Sequence, residues 1–428
     1  MSISDEQAGP SAPAESPTAM RRVLPEDMVE RGRCPFDPPP GLAARRGAGA
    51  VQPLPLLNGA RSWLVTGFDE ARSVLADQRF SSDRMRYRDA TQLQPGEVAE
   101  AASATGAAAQ AREDGMFVFM DPPEHTRLRR LLTGQFTVRR MKALESRITE
   151  IAVEHVEAMR AAGTEADLVP AYALPLPSLV ICEMLGVDYA DRAEFQENTA
   201  TSLNVTSSDE ERAIAGAALY EFIQRLVVDK RAHPADDMLS GLVHDADPPL
   251  TDAQVVDMAL VLLGAGHETT ANMLGLGTFA LLENPDQLAA LRADPGLIDA
   301  AVEELLRYLS IIQLGVTRVA TEDVTLGGVD VPAGSTVVLA TPEANRDPRS
   351  WAEPDRLDLR RARSPHLAFG HGVHQCLGQQ LARIEMRVGF AELFGRLPGL
   401  RLAVPAEEVP LRNDMLIFGV HSLPVTWA

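Results

Sequence analysis

A long, mostly apolar segment near the middle of the chain constrains the fold more than any other feature. The run from Val255 to Leu282 follows Thr251 and Gln254, which have the spacing of a helix-capping box. At ~1.5 Å per residue, one helix from Thr251 to about Leu282 would be about 50 Å long and would cross the whole molecule. Asp257 and Glu268 interrupt the apolar run, and charge inside a bilayer is costly. The segment therefore predicts a buried helix of a soluble protein.

The remaining pattern predicts one mostly α domain with a minor β portion. Helical periodicity dominates from residue 121 to about 309 and again from 377 to 397, whereas the alternating stretch 318–339 indicates short strands joined by glycine turns. The polar residues 1–25 predict a disordered tail, and residues 26–428 predict a single domain. The Ala-rich stretch 81–115 is typical of a lid, a binding loop or disorder.

Charge and cysteine content exclude several classes of protein. Forty Lys and Arg against 60 Asp and Glu give a formal net charge of −20, which repels phosphate backbones and anionic lipid. The three cysteines, Cys34, Cys182 and Cys376, lie far apart and indicate no disulfide framework, as in a reducing cytoplasm. The N-terminus lacks the apolar core of a signal peptide. We therefore predict a cytoplasmic monomer that binds neither nucleic acid nor membrane.

The glycine-rich segment 366–378, HLAFGHGVHQCLG, carries the first chemically suggestive group. Cys376 precedes a helical run, so backbone N–H groups and the helix dipole are expected to lower its thiol pKa and stabilise a thiolate. Three glycines around it would let a flat, bulky group approach the backbone: Gly370, Gly372 and Gly378. Two alternatives stay open from the residues alone. One is a buried free cysteine, and the other is a zinc site with His371 and His374, which lacks a fourth ligand nearby.

The middle of the long helix carries a second group. Ala265 and Gly266 are small enough for a cofactor to approach, and Glu268 and Thr269 place an acid beside an alcohol. The alternative is a buried helix in which Thr269 bonds back to the preceding turn. A metalloprotease H-E-x-x-H motif is excluded because residue 271 is alanine.

Two charged patterns complete the set. Glu304 and Arg307 are three residues apart in a predicted helix and can form an ion pair, although solvated helices often contain such pairs. Asp121 is expected to cap a helix that begins with proline and that carries His125 and Arg129 on one face. A basic surface helix is the alternative for the second pattern.

In order and register, these motifs resemble those of the cytochrome P450 family. Its haem-thiolate loop, F-G-x-G-x-H-x-C-x-G, matches Phe369, Gly370, Gly372, His374, Cys376 and Gly378. Its oxygen-activation motif, A-G-x-[DE]-T, matches Ala265, Gly266, Glu268 and Thr269. The resemblance covers about residues 35–428, and looser similarity in ANRDP (344–348) and GQQLAR (378–383) is typical of bacterial, actinomycete-like members.

The resemblance implies the cytochrome P450 fold, a triangular helical prism with haem b between the long central helix and the cysteine-loop helix. Cys376 would be the axial ligand of the haem iron. Haem propionates would contact His125, Arg129, Arg318 and His374. Further cofactor contacts would come from Ala265, Gly266, Thr269, Phe369, Gly370 and Gly378. Arg356 would complete the structural pair of Glu304 and Arg307.

The implied reaction is monooxygenation, in which dioxygen is split and one atom enters a C–H bond or a C=C bond of the substrate. Thr269 would assist oxygen activation, and Glu268 would relay protons. Electrons would come from NAD(P)H through a separate ferredoxin reductase and a ferredoxin. The ferredoxin would dock on the basic proximal segment that carries Arg127, Arg130, Arg139 and Arg140.

The resemblance also implies a class of substrate. The pocket would include the segments 81–119 and 175–230 together with Leu314, Gly315 and Val316, which are apolar or small and favour a bulky lipophilic molecule. We expect a macrolide or polyketide in antibiotic biosynthesis. The alternatives are oxidation of xenobiotics, terpenoids or fatty acids, a peroxygenase, which would not need the Glu268–Thr269 pair, and a non-catalytic haem sensor, which would not need an electron donor.

Overall fold

The computed structural model describes residues 26–55, 61–83, 115–203, 208–362, 364–413, 415 and 417–428. The predicted tail over 1–25 and most of the predicted lid, residues 84–114, lie outside these ranges. The described residues are mainly helical with small sheets, which confirms the predicted fold class. The prediction of a single domain over 26–428 stays a prediction.

The helices and strands of the described residues are as follows. The helices are α1 (Pro40–Ala48), α2 (Phe68–Ala76), α3 (Glu124–Thr133), α4 (Val138–Ala162), α5 (Pro175–Leu185), α6 (Arg192–Leu203), α7 (Asp209–Ala232), α8 (Met238–His244), α9 (Asp252–Leu282), α10 (Pro285–Ala293), α11 (Ile298–Leu309), α12 (Thr341–Ala344) and α13 (Gln379–Arg396). The strands are β1 (Val51–Pro55), β2 (Arg61–Val65), β3 (Phe80–Ser81), β4 (Glu165–Asp167), β5 (Val316–Ala320), β6 (Val324–Leu326), β7 (Val329–Val331), β8 (Thr336–Leu339), β9 (Arg401–Leu402) and β10 (Pro424–Thr426).

Helix α9 is the predicted long central helix, with 31 residues and the expected capping box. The Thr251 hydroxyl accepts a hydrogen bond from the Gln254 N–H at 3.2 Å, and the Gln254 side chain accepts one from the Thr251 N–H at 3.0 Å. Gly277 lets α9 approach α13, because a Cβ at this position would lie 2.6 Å from the ring of Phe390. None of the described helices is both long and apolar enough to cross a bilayer.

The sheets hold the segments that flank the central helix. The largest sheet has the strand order β1-β2-β8-β5-β3, with β2 and β8 parallel and the other neighbours antiparallel. Strands β6 and β7 form a hairpin whose turn, Gly327–Gly328, has φ of +57° and +81°. The alternating stretch 318–339 was therefore correctly predicted to form short strands. A third sheet, β4-β10-β9, ties the C-terminus to the end of α4.

The predicted start of α3 is wrong. Asp121 caps no helix, because α3 begins at Glu124, after the two prolines. The Asp121 carboxylate instead accepts hydrogen bonds from the Ser81 hydroxyl and, at 2.9 Å, from the Ser82 N–H. A proline disfavours helical backbone in the residue before it, which moves the helix start toward the C-terminus. Asp121 therefore joins α3 to the end of β3.

Candidate active site

A cavity of about 410 Å³ lies between the middle of α9 and the segment that carries Cys376. Most of its wall is apolar. Ten residues of the predicted site line it: Arg129, Ala265, Gly266, Thr269, Arg318, Phe369, Gly370, His374, Cys376 and Gly378. The structure thus brings together residues that lie up to 249 positions apart in sequence.

The cysteine loop is held in a conformation that requires glycine. Gly372 has φ of +73°, and a Cβ there would lie 2.3 Å from the carbonyl oxygen of Leu75 at the end of α2. The Cys376 N–H donates to the Phe369 carbonyl at 2.8 Å, which closes the loop on itself. Helix α13 begins three residues later, with Gly378 at its N-cap. The loop therefore fixes where the sulfur of Cys376 lies.

The thiol of Cys376 does not have the depressed pKa that its position before a helix led us to expect. Burial raises its pKa above the ordinary value. A hydrogen bond with the Gly378 backbone and the charges of Arg129 and Arg383 lower the pKa, but by less than burial raises it. Desolvation exceeds the helix-terminus effect here, and a positive partner such as a metal ion would favour the thiolate.

Four basic side chains gather at one end of the cavity. The rings of His125 and His374 lie 3.9 Å apart, and Arg129 and Arg318 line the cavity beside them. His125 is buried, and within the described residues neither of its ring nitrogens has a hydrogen-bond partner. Burial, together with the charges of the two arginines, lowers the pKa of His125 to about 4 and that of His374 to about 3.

This basic cluster is suited to buried anions. An unsatisfied buried imidazole costs free energy, and like charges in a poorly solvated site repel one another. One or two carboxylates at this end of the cavity would accept hydrogen bonds from the imidazoles and offset the guanidinium charges. Arg129 already donates to the backbone carbonyl of Gln375, so it also ties α3 to the cysteine loop.

On α9, Thr269 and Glu268 point in different directions. Thr269 lines the cavity, and its hydroxyl donates to the Ala265 carbonyl at 2.6 Å, which is the back-bonded alternative. Glu268 is not among the described residues that line the cavity. Its carboxylate pairs with Arg412, whose side chain also donates to Asn272 at 3.2 Å. No sequence pattern links Arg412 to α9, because 144 residues separate it from Glu268.

One carboxyl group lines the cavity and was not predicted from the sequence. Glu385 on α13 is buried, and burial raises its pKa to about 8, although a hydrogen bond with Thr270 opposes the shift. Near neutral pH it is therefore mainly a neutral acid. Its sequence signal is weak. It lies four residues after Leu381, on the face of α13 that the periodicity makes apolar, where an acid is unexpected.

The Glu304–Arg307 pair is buried and bidentate, with two N–O distances of 2.8 Å. The prediction that Arg356 is the third partner of this pair is wrong. The Arg356 side chain is 59% exposed and pairs with Glu353, and only its backbone carbonyl accepts from Arg307. Arg361 takes the predicted place, with its Nε 3.1 Å from the Glu304 carboxylate. The reason is geometric, since Arg361 reaches back over the loop to Glu304 while Arg356 points to solvent.

The predicted pocket segment 314–316 is divided by the structure. Gly315 and Val316 line the cavity, but Leu314 is buried in a separate small core with Leu42 and Leu64. Leu314 lies in a bend two residues before β5, so its side chain does not follow the alternation of the strand. Within the described parts of the chain, no three His, Cys, Asp or Glu side chains are grouped to hold a metal ion, which disfavours the zinc alternative.

Comparisons with known proteins identify the family. Residues 217–425 match the family model described as cytochrome P450. Cytochrome P450-SU2 of Streptomyces griseolus is 47% identical over 415 residues, which cover 96% of this chain and 100% of that protein. The chain therefore belongs to the cytochrome P450 family and is an oxidoreductase of the monooxygenase type, with actinomycete relatives as the resemblance implied.

Two solved structures resemble this fold. The crystal structure of Rif16 in complex with R-L is 54% identical, with a TM-score of 0.83, and covers 94% of this chain and 100% of its own. The crystal structure of CYP105P1 in complex with filipin I is 45% identical, with a TM-score of 0.83, and covers 95% of this chain and 99% of its own.

Membership in the family implies a haem cofactor, and the residues of the cavity fit one. An iron ion would provide a positive partner that favours the buried Cys376 thiolate. The basic cluster around the unpartnered His125 suits two propionates. Gly266 and Gly370 line the cavity with nothing within 4 Å of the position that a Cβ would take, so a flat group can approach both walls.

Proposed function

We propose that this chain holds haem b through Cys376 and oxidises a bulky lipophilic natural product, of macrolide or polyketide type, in antibiotic biosynthesis. The observation that carries the proposal is the apolar cavity that joins Cys376 to the small residues of α9. When bound, haem supplies the activation of dioxygen. His125, Arg129, Arg318 and His374 would bind the propionates, and Phe369, Gly370 and Gly378 would shape the loop under the ring.

The lining of the cavity supports a lipophilic substrate. Away from the basic cluster, its wall consists mainly of apolar side chains, among them Phe117, Val118, Ile181, Val261, Leu262 and Ile312. Gly315 and Val316, at the start of β5, also line the cavity. Such a wall binds by shape and desolvation, with few groups that recognise a charged ligand. Filipin I, bound in the structure of the relative CYP105P1, supports a natural-product substrate.

Substrate-binding difference spectra of the ferric holoenzyme test the proposed class. A panel of macrolactones, terpenoids and fatty acids of matched hydrophobicity separates shape from general lipophilicity. We expect macrolactones to give the largest spin-state shift at the lowest concentration, because a preorganised apolar pocket favours rigid, bulky ligands. Tighter binding of fatty acids or terpenoids would instead assign the enzyme to one of those substrate classes.

Thr269 and Glu268 are proposed to govern proton delivery rather than the retention of haem. The Thr269 hydroxyl donates to Ala265, so its oxygen offers the cavity a hydrogen-bond acceptor. The ion pair with Arg412 holds Glu268 away from the cavity, and its part in proton delivery requires the carboxylate to leave that pair. Both steps concern proton supply, so they act on the efficiency of turnover and leave cofactor content unchanged.

Replacing Thr269 by alanine is expected to leave haem content unchanged and to divert reducing equivalents to hydrogen peroxide. The measurement is coupling, the product formed per NAD(P)H consumed, which should fall several-fold. Thr269→Ser keeps the hydroxyl and should restore most of the coupling. Equal coupling in Thr269→Ala and the parent enzyme would remove Thr269 from the proposed role.

Electrons are proposed to reach the haem from NAD(P)H through a ferredoxin reductase and a ferredoxin, on the basic surface of α3 and α4. Two arginines of the predicted docking segment are already engaged, since Arg127 pairs with Glu124 and Arg140 contacts Gln135 and Asp236. Arg130 and Arg139 are exposed and make no ion pair within the described residues. These two arginines are the available charges.

Ferredoxin-supported reduction is expected to slow as ionic strength rises, because charges at an interface mainly set the association rate and are screened over about 8 Å at physiological salt. The double variant Arg130→Glu with Arg139→Glu should slow it further. The matched control reverses two exposed arginines elsewhere, Arg225→Glu with Arg292→Glu. Stopped-flow reduction that is insensitive to salt and equal in both double variants would place the docking surface elsewhere.

A further inference from the structure

We infer that Arg383, held by Glu303 and stacked on Phe369, positions the cysteine loop and electrostatically favours electron acceptance at the iron bound by Cys376. The inference rests on the proposed haem ligation by Cys376. It concerns the side chains of Arg383 and Glu303, which lie outside those family motifs, and neither makes a hydrogen bond to Cys376 in the described structure.

Glu303 ties together both ends of the cysteine loop. It lies on α11 next to Glu304, and its carboxylate accepts two hydrogen bonds from Arg383, Nε at 2.6 Å and Nη2 at 3.1 Å. The same carboxylate lies 3.2 Å from Nε2 of His366, at the start of the loop. Because Nδ1 of His366 accepts from the Ala368 N–H at 3.2 Å, Nε2 carries the proton and donates to Glu303.

Arg383 connects Glu303 and His366 to the wall of the cavity. It lies seven residues after Cys376, and its guanidinium carbon is 4.6 Å from the centre of the Phe369 ring. Phe369 lines the cavity and accepts the backbone hydrogen bond from Cys376. A further bond from Arg383 to the Gln379 carbonyl, at 3.2 Å, fixes the guanidinium against the first turn of α13. The positive charge is therefore rigidly placed behind the cysteine loop.

The sign of the electrostatic effect differs between the two partners. A positive charge near the iron stabilises the reduced state, which carries one more electron, and a negative charge destabilises it. Removing the Arg383 charge leaves Glu303 unopposed and should make the potential more negative. Removing the Glu303 charge leaves Arg383 unopposed and should make it more positive. If Glu303 and Arg383 only held the loop in place, both variants would loosen it, and the two potential shifts would not have opposite signs.

The test is spectroelectrochemical titration of the substrate-free holoenzyme in Arg383→Gln and Glu303→Gln. We expect the one-electron reduction equilibrium to shift in opposite directions, by at least about twofold each, and to shift less at high salt. The control is Arg387→Gln, one turn further along α13, where the guanidinium pairs with Glu145 at 2.6 Å. Arg383→Lys keeps the charge and should stay near the parent potential even if Arg383→Gln binds haem poorly.

Shifts of the same sign in Arg383→Gln and Glu303→Gln would overturn the inference, as would an equal shift in Arg387→Gln. The ferrous–CO spectrum separates this failure from failure of the proposed function. If the variants keep the red-shifted Soret band of thiolate ligation but their potentials do not diverge, Cys376 still holds the iron and only the role of Arg383 is wrong. If Cys376→Ser also keeps that band, the ligand assignment itself is wrong.

Discussion

Replacing Cys376 by serine is expected to abolish the red-shifted Soret band of the ferrous–CO complex. That band reports a thiolate bound to iron, and Cys376 is the cysteine that lines the cavity. Serine is close in size but its hydroxyl does not ionise near neutral pH, so it can keep the loop folded without supplying the ligand. The measurement is the carbon monoxide difference spectrum at equal haem content.

The chain offers two matched controls for this experiment. Cys34 is partly buried and packs against the main core, and Cys182 is fully buried on α5, so neither reaches the cavity. Cys34→Ser and Cys182→Ala should both keep the band, the second with some loss of stability from the small cavity it creates. Loss of the band in a control, or its retention in Cys376→Ser, would contradict the assignment.

Residues that the sequence predicted from contiguous motifs lie together at one cavity in the structure. The loop around Cys376 and the helical segment around Gly266 each span about ten residues or fewer. The local backbone therefore fixes how the residues of each motif are arranged, and both motifs line the cavity. The capping box at Thr251 and the glycine turn at 327–328 are equally local, and both formed as predicted. Local signals fix local backbone, and that backbone places the neighbouring side chains.

Partners brought together by packing were not predictable in the same way. Arg361, Arg383 and Arg412 each meet a glutamate of α9 or α11 that lies 57 to 144 residues away. Many arginines could occupy those places on spacing alone, as the mistaken choice of Arg356 shows. The extent to which a side chain is buried also cannot be derived from sequence spacing. Burial raises the pKa of Cys376 although a helix begins just after it.

Replacing Arg307 by alanine is expected to have the largest effect on stability. Arg307 is 2% exposed and donates twice to Glu304 as well as to the carbonyls of Asn345 and Pro354. Among the described residues, the buried carboxylate then keeps Arg361 and the Asp358 N–H as its partners. Breaking a buried pair in this way costs about 3–5 kcal/mol of unfolding free energy. The measurement is the midpoint of denaturant unfolding of the holoenzyme, compared with the parent.

Denaturant unfolding of two further variants decides which arginine completes the buried Glu304–Arg307 cluster. Arg356→Ala removes an exposed side chain whose ion pair with Glu353, at 3.5 Å, is solvated, and it should cost less than about 1 kcal/mol. Arg361→Ala removes a donor to the buried Glu304 carboxylate and to three backbone carbonyls, so it should cost clearly more. If Arg356→Ala were the more damaging of the two, the third partner of the cluster would be the one that the family pattern implies, and the geometry described for Arg361 would be wrong.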